Sequence, residues 1–187
     1  PQVVSFPPVD AFVLSARHTP STLGARMLAV LRSVESLGLG VWVGSILFFS
    51  FVAAPTAFRS LDTQDAGLFI RGIFPKYYMF GIICGVLTLA AGAGYRAMRG
   101  DWAGRSAVTL AIVGAMFLTT VYARQGLMPV IERRRDARAA AEEGTEAYVA
   151  AQQKFRAGHR ASVILNLAVL ILGIVTFMLL PAIRRSV

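Results

Sequence analysis

Apolar positions gather into four long runs, residues 36–58, 77–95, 106–123 and 161–183, and the stretches between them carry nearly all the charge. Each run approaches the roughly 20 helical residues needed to cross a hydrocarbon layer of about 30 Å. The pattern predicts an all-α fold, a four-helix transmembrane bundle. The runs do not coincide with the helices. Helical patterning reaches back through Arg26, Arg32 and Glu35 to a start signal at Thr19, Pro20, Ser21 and Thr22, where hydroxyls can cap free N–H groups. Pro55 is expected to kink or end helix one. A polar link over residues 59–71 follows, and Phe74, Pro75, Tyr77 and Tyr78 open helix two, with proline near its first turn. Gly92, Gly94 and Arg96 close it, and a very short connection makes helix three its antiparallel neighbour.

The connection over residues 125–160 is long and polar but rich in Ala, Glu, Arg and Gln. Gly144 and Thr145 read as a terminating glycine followed by an N-cap. A helix from Thr145 to Ile183 would have about 39 residues and be about 58 Å long, about 28 Å more than the membrane. Helices three and four are therefore expected to leave the bilayer as a helical hairpin. The domain reading is an interfacial segment over residues 1–20, then one transmembrane unit over 21–187. The first segment is broken by Pro7 and Pro8 and lacks a basic n-region, so no cleavable signal peptide is expected there.

Charge refines this picture. Of 187 residues, 56% are hydrophobic and 16% charged, with a formal net charge of +9. The arginines stand beside the predicted membrane ends, where they snorkel and meet anionic headgroups. No basic face with interleaved aromatics is present, so nucleic acid is not an expected partner. Face A denotes the side with the connection between helices two and three, face B the side with the other two. Face B holds the larger share of Lys and Arg, which weakly places it in the cytoplasm. The abundance of Arg and Ala points to a bacterial, GC-rich source and hence an inner-membrane, multi-pass location. The single cysteine, Cys84, allows no intrachain disulfide.

Three constellations carry candidate chemistry. Phe155, His159, Ser162 and Asn166 follow steps of four, three and four, which puts them on one helical face, continued by Gly173. A polar stripe entering the membrane must point into the bundle or at a partner. It serves either interhelical hydrogen bonding or a binding or proton-handling role for His159. Ser36, Gly40 and Gly44 on helix one, and Gly81 and Gly85 on helix two, form small-residue strips that permit close helix approach. Glu35, one turn after Arg32, is expected to form an ion pair at the membrane edge with arginines of face A, the alternative being part of an ion path.

Gly38, Gly40, Trp42 and Gly44, then Pro55 and Phe58, then Phe74, Pro75, Tyr77 and Tyr78, then the His159 stripe resemble the transmembrane-protein-205-like family. The resemblance runs from about Leu31 to Leu180 and implies a four-helix membrane protein of undefined biochemical activity. The topology brings Pro55, Arg59, Tyr77, Tyr78, His159, Ser162 and Asn166 to face B, where a site is expected.

Other chemistries are argued down. His18 and His159 lie a membrane apart, so internal bis-histidine haem ligation is not expected. A single axial His159 to a pigment or haem shared with a partner is the one cofactor arrangement the sequence allows. The methionines are scattered, unlike the clustered soft ligands copper needs. No catalytic set, metal set or phosphate loop is present. The expected function is a non-enzymatic accessory or assembly subunit in the lipid bilayer, packing on other membrane proteins or on itself. The alternative is a small-solute or metal-ion handler with its site around His159.

Overall fold

The structure, a computed structural model, describes residues 22–184, with side chains to Leu180. The segment 1–20, His18 and the helix start before Thr22 lie outside the described residues. Four helices, each long and apolar enough to cross a membrane, make up the fold: α1 (Thr22–Ser60), α2 (Thr63–Arg99), α3 (Gly104–Ala140) and α4 (Glu146–Arg184). Each packs on the next, and α1 also meets α4 to close the ring. The expected four-helix bundle with an extended α3–α4 hairpin is what forms.

Local chemistry sets the helix ends. The Asp62 side chain accepts from the backbone N–H groups of Gln64 and Asp65 at 2.9 and 2.8 Å, which satisfies two donors of the first turn of α2. The polar link expected over residues 59–71 is therefore helical, and only Leu61 and Asp62 join α1 to α2. Pro75 lies inside α2, not near its first turn. The same helix passes the expected stop at Gly92, Gly94 and Arg96 and ends on Gly100, whose φ of +66° is left-handed. That conformation is open to glycine at no steric cost. At the hairpin tip, Gly144 has φ +89°, and the Thr145 hydroxyl accepts from the Tyr148 N–H at 3.3 Å. The helix that follows has 39 residues, so the outer hairpin is ordered helix.

Pro55 does not end α1. The helix widens to a π-helical turn at Phe49–Ala53 and continues to Ser60, and α3 does the same at Ala123–Leu127 before Pro129. Proline has no N–H to give the ladder. Here the Ala54 N–H bonds to the Phe49 carbonyl and the Met128 N–H to the Ala123 carbonyl, each five residues back. Such π turns concentrate at functional sites.

The core gathers Leu39, Trp42, Val43 and Ile46 of α1 with Cys84, Val113, Met116 and Val169. Trp42 needs the α2 glycine strip. A Cβ on Gly81 would sit 3.0 Å from its indole nitrogen, and one on Gly85 2.8 Å from Phe117 and 3.1 Å from Trp42. A Cβ on Gly173 of α4 would collide with Val43. The α1 strip divides. Gly40 faces Phe177, with 3.5 Å left for a Cβ, but Gly44 is exposed with nothing within 4 Å.

Face A is held by a buried ionic cluster. Glu35 Oε1 accepts from Arg96 Nη1 at 2.9 Å and Glu35 Oε2 from Arg32 Nη1 at 3.1 Å. Arg96 Nε donates to the Ser106 carbonyl of α3 at 3.0 Å, and Arg32 Nη2 to the Leu180 carbonyl of α4 at 2.8 Å. One carboxylate thus connects all four helices. The expected ion pair exists, but inside the bundle rather than at its edge: Glu35 is 2% exposed and Arg96 0%. Gly92 makes the room, because a Cβ there would lie 2.7 Å from Glu35 Oε1. Removing one member of a buried pair leaves an uncompensated charge and costs about 3–5 kcal/mol. Glu35→Gln is expected to lower unfolding stability in detergent by about that amount, while Arg99→Gln, at an exposed arginine of the same face, leaves it unchanged. Equal melting of the two variants would remove the cluster's role.

Candidate functional site

At face B the four helices separate around a groove. Its floor is aromatic. Phe49, at the start of the α1 π turn, stacks on Tyr77 at 4.7 Å between centroids, and Phe74 stacks on Tyr78 at 5.7 Å. Pro75 faces α3, beside Arg124, Met128, Pro129 and Glu132. Steps of three and four residues put Phe74, Tyr77 and Tyr78 on one side of α2.

Asn166 of α4 joins three helices. The Tyr77 hydroxyl donates to Asn166 Oδ1 at 2.7 Å, and Asn166 Nδ2 donates to the Ser50 hydroxyl of the π turn at 3.2 Å. Burying a primary amide away from water demands such partners. Ser50 is a hydrogen-bonding partner that the sequence reading missed. It sits in an apolar stretch with no polar neighbour at helical spacing, and only its place in the π turn aims it at Asn166. Ser162 does not bond across helices as expected. Its hydroxyl donates to the His159 carbonyl of its own helix at 2.8 Å.

Two cavities lie here, of about 260 and 450 Å³, and Asn166 and Ser50 line the larger. They share Phe49, Ala54, Phe74, Tyr78, His159 and Ser162 as walls, and so form one continuous groove. The smaller is lined by all four helices and reaches Glu132, Arg135, Arg138 and Phe155 at the base of the hairpin. The larger lies between α1 and α4, and its outer wall includes Phe51, Val163 and Leu167, which are all exposed. Such apolar side chains on a membrane-spanning surface meet lipid, so this cavity opens sideways into the bilayer. Beyond Asn166 no hydrogen bond joins α1 to α4 among the described residues.

The expected site residues fare differently. His159, Ser162, Asn166, Tyr77 and Tyr78 do converge. His159 lines both cavities, stacks beside Phe155 at 6.4 Å, and makes no ring hydrogen bond among the described residues. Arg59 is exposed and lines neither cavity, so it drops out of the site. In its place come arginines of the hairpin. Arg71 of α2 pairs with Glu132 at 2.7 Å and Asp136 at 3.3 Å. Arg135 Nη1 also reaches Glu132, at 3.3 Å. Arg138 has no acidic partner among the described residues. Its Nη1 donates to Gln152 Oε1 at 3.0 Å, and its guanidinium lies 5.1 Å from the Phe155 ring.

Comparison with known proteins adds a family and little chemistry. The model of a family described as "Domain of unknown function (DUF4149)" matches residues 37–140. That stretch contains the membrane part of α1, all of α2 and α3, and the hairpin arginines, but not α4. A protein of Aquifex aeolicus (strain VF5) named "Uncharacterized protein" is 41% identical over 54 residues, which is 29% of this chain and 41% of the relative. The chain thus matches about two fifths of that relative's length. No solved structure matches.

Interhelical hydrogen bonds in membranes average about 0.6 kcal/mol, with a maximum of about 1.7. Asn166→Leu is expected to lower stability by about 1–2 kcal/mol, since it loses two such bonds. Tyr77→Phe and Ser50→Ala should each lose part of that and add nothing further when combined with Asn166→Leu. Full additivity in a double-mutant cycle would show that the three do not form one node.

Proposed function

The chain belongs to the DUF4149 family, and from that premise we propose that it is a non-enzymatic membrane protein that binds a small ligand in its face B groove. The single observation that carries this reading is the groove itself. It is continuous from the lipid-facing gap between α1 and α4 to the charged hairpin, and four of the expected site residues, Tyr78, His159, Ser162 and Asn166, wall it. Ligand pockets are concave, mostly apolar and fitted with a few convergent polar groups. His159, Tyr78 and Arg138 are those groups here. In this reading the protein handles a small solute around His159, in a bacterial inner membrane, with the hairpin outside the bilayer. We also place it beside the transmembrane-protein-205-like family. The order of the Trp42, Pro55 and Phe74–Tyr78 motifs within the matched segment supports that kinship, as does the His159 stripe beyond it.

A second reading, an accessory subunit packed against another membrane protein or a second copy, draws on one observation. Gly44 leaves an exposed small-residue position on α1 with nothing against it. The rest of the small-residue pattern is spent inside the bundle, which is why the groove is preferred.

Native mass spectrometry of the protein released from mild detergent tests the choice, with metals and pigments measured on the same sample. The expected result is a non-covalent small-molecule adduct of one per chain. Ala54→Trp, which fills the groove wall, should lose it without lowering the melting temperature. A bare chain would overturn the binding reading, and a stoichiometric protein partner would replace it with the accessory one.

A further inference from the structure

The groove's two ends differ in chemistry, and the difference specifies a ligand. At its outer end stand Arg135 and Arg138, beyond the apolar part of α3. Each uses only Nη1 in a hydrogen bond among the described residues. Glu132 is taken up by Arg71 and Arg135, and Asp136 by Arg71. Of the two groove arginines, Arg138 has no carboxylate partner among the described residues, and its Nη2 and Nε make no hydrogen bond there. A guanidinium stacked on an aromatic ring with free donors suits phosphate recognition.

The middle of the groove is amphipathic. Tyr78 is 6% exposed and lines both cavities, and its hydroxyl has no hydrogen-bond partner among the described residues. The hydroxyl keeps contact with the groove's open volume, where a bound molecule can supply the partner. His159, exposed and with no ring hydrogen bond among the described residues, lies on the same walls. At the inner end the lining is Phe51, Val163, Leu167 and Leu170, with Ser50 and Asn166 bonded to each other among them, and it opens to hydrocarbon. From outside to inside the order is cation, hydrogen-bonding groups, hydrocarbon.

We infer that the groove holds a phospholipid with a net-anionic headgroup, taken sideways from the face B leaflet between α1 and α4. This rests on the proposed binding function and names its ligand class. The phosphate faces Arg138 and Arg135, the ester region lies at the depth of Tyr78 and His159, and one chain runs along Phe51 and Leu167. The arrangement matches the polarity of a lipid standing in its own leaflet. The lipid therefore enters by sliding, without leaving the bilayer. A soluble phosphate would leave the hydrocarbon end of the groove unfilled, and a zwitterionic lipid would bring a second cation to a site already positive.

The test is competitive retention. The full chain in mild detergent is offered equal amounts of phosphatidylglycerol and phosphatidylcholine with identical chains, and the adducts are counted by native mass spectrometry. The wild-type protein is expected to retain phosphatidylglycerol over phosphatidylcholine by about tenfold, in line with about 1 kcal/mol per basic residue near a charged lipid. Arg138→Gln should bring the ratio within about twofold of parity, with Arg138→Lys and Arg99→Gln keeping most of the preference. Glycerol phosphate at millimolar concentration should displace neither lipid. Parity in the wild type, or an undiminished preference in Arg138→Gln, overturns the anionic-lipid inference. If Ala54→Trp still releases both lipids in that case, the groove remains a binding site for another ligand. If Ala54→Trp releases nothing, the lipids sit elsewhere and both readings fail. Displacement by glycerol phosphate would make the headgroup alone the ligand, and a protein subunit retained in place of lipid would make the groove a docking site. Either result overturns the inference.

Discussion

The ionic cluster around Glu35 is the constraint on which the bundle's shape depends. A carboxylate and two guanidinium groups taken out of water must satisfy one another or find backbone carbonyls, because hydrocarbon offers no alternative. Here Arg96 reaches the Ser106 carbonyl and Arg32 the Leu180 carbonyl, so α3 and α4 are fixed to the same anion that pairs α1 with α2. Such a cluster adds little net stability compared with a well-packed apolar core, but its geometry admits few arrangements. Gly92 has no side chain because Glu35 occupies that space. The helices are thereby tied together at face A, and whatever freedom the bundle has lies toward face B.

Face B is built for separation. Pro55 and Pro129 stand two residues past a π-helical turn in α1 and α3. Each proline deprives its helix of one donor, and the wider turn re-routes the ladder five residues back. Between these turns the wall is Phe49 and Ala123, and outside them the helices part around the groove. Gly173 against Val43 and Asn166 against Ser50 are the close α1–α4 contacts at increasing distance from the cluster. Beyond them a cavity lies between Ala54 and Ser162. A structure tied at one end and parted at the other has its accessible volume where lipid headgroups meet water.

The sequence revealed the spans because hydrocarbon demands long apolar runs, and it revealed the hairpin because residues 125–160 are helical in composition yet too polar for lipid. The stripe from Phe155 to Asn166 was legible from its spacing alone. Inside the bilayer, however, the usual contrast between apolar inside and polar outside disappears, since both the core and lipid are apolar. Phe49 is buried and Phe51 is 68% exposed, with nothing in their identity to tell them apart. For the same reason Gly44 and Gly81 read alike, although one lies in open space and the other against Trp42. Ser50 was invisible because its role depends on a π turn that no periodicity announces. Arg59 was misplaced because α1 runs on past Pro55, which leaves its side chain exposed. The Asp62 cap was overlooked because the acids of the link read as loop.

The central claim is that the groove lies open to the bilayer between α1 and α4 while the bundle stays closed elsewhere. Collision accessibility of a spin label in liposomes measures this directly, with a single cysteine at Ala54 in a Cys84→Ser background. The account predicts oxygen accessibility at residue 54 comparable to that of a label at lipid-exposed Ile164 and far above that at buried Val113. Accessibility at residue 54 as low as at Val113 would show that α1 and α4 close over the groove, and would contradict the account.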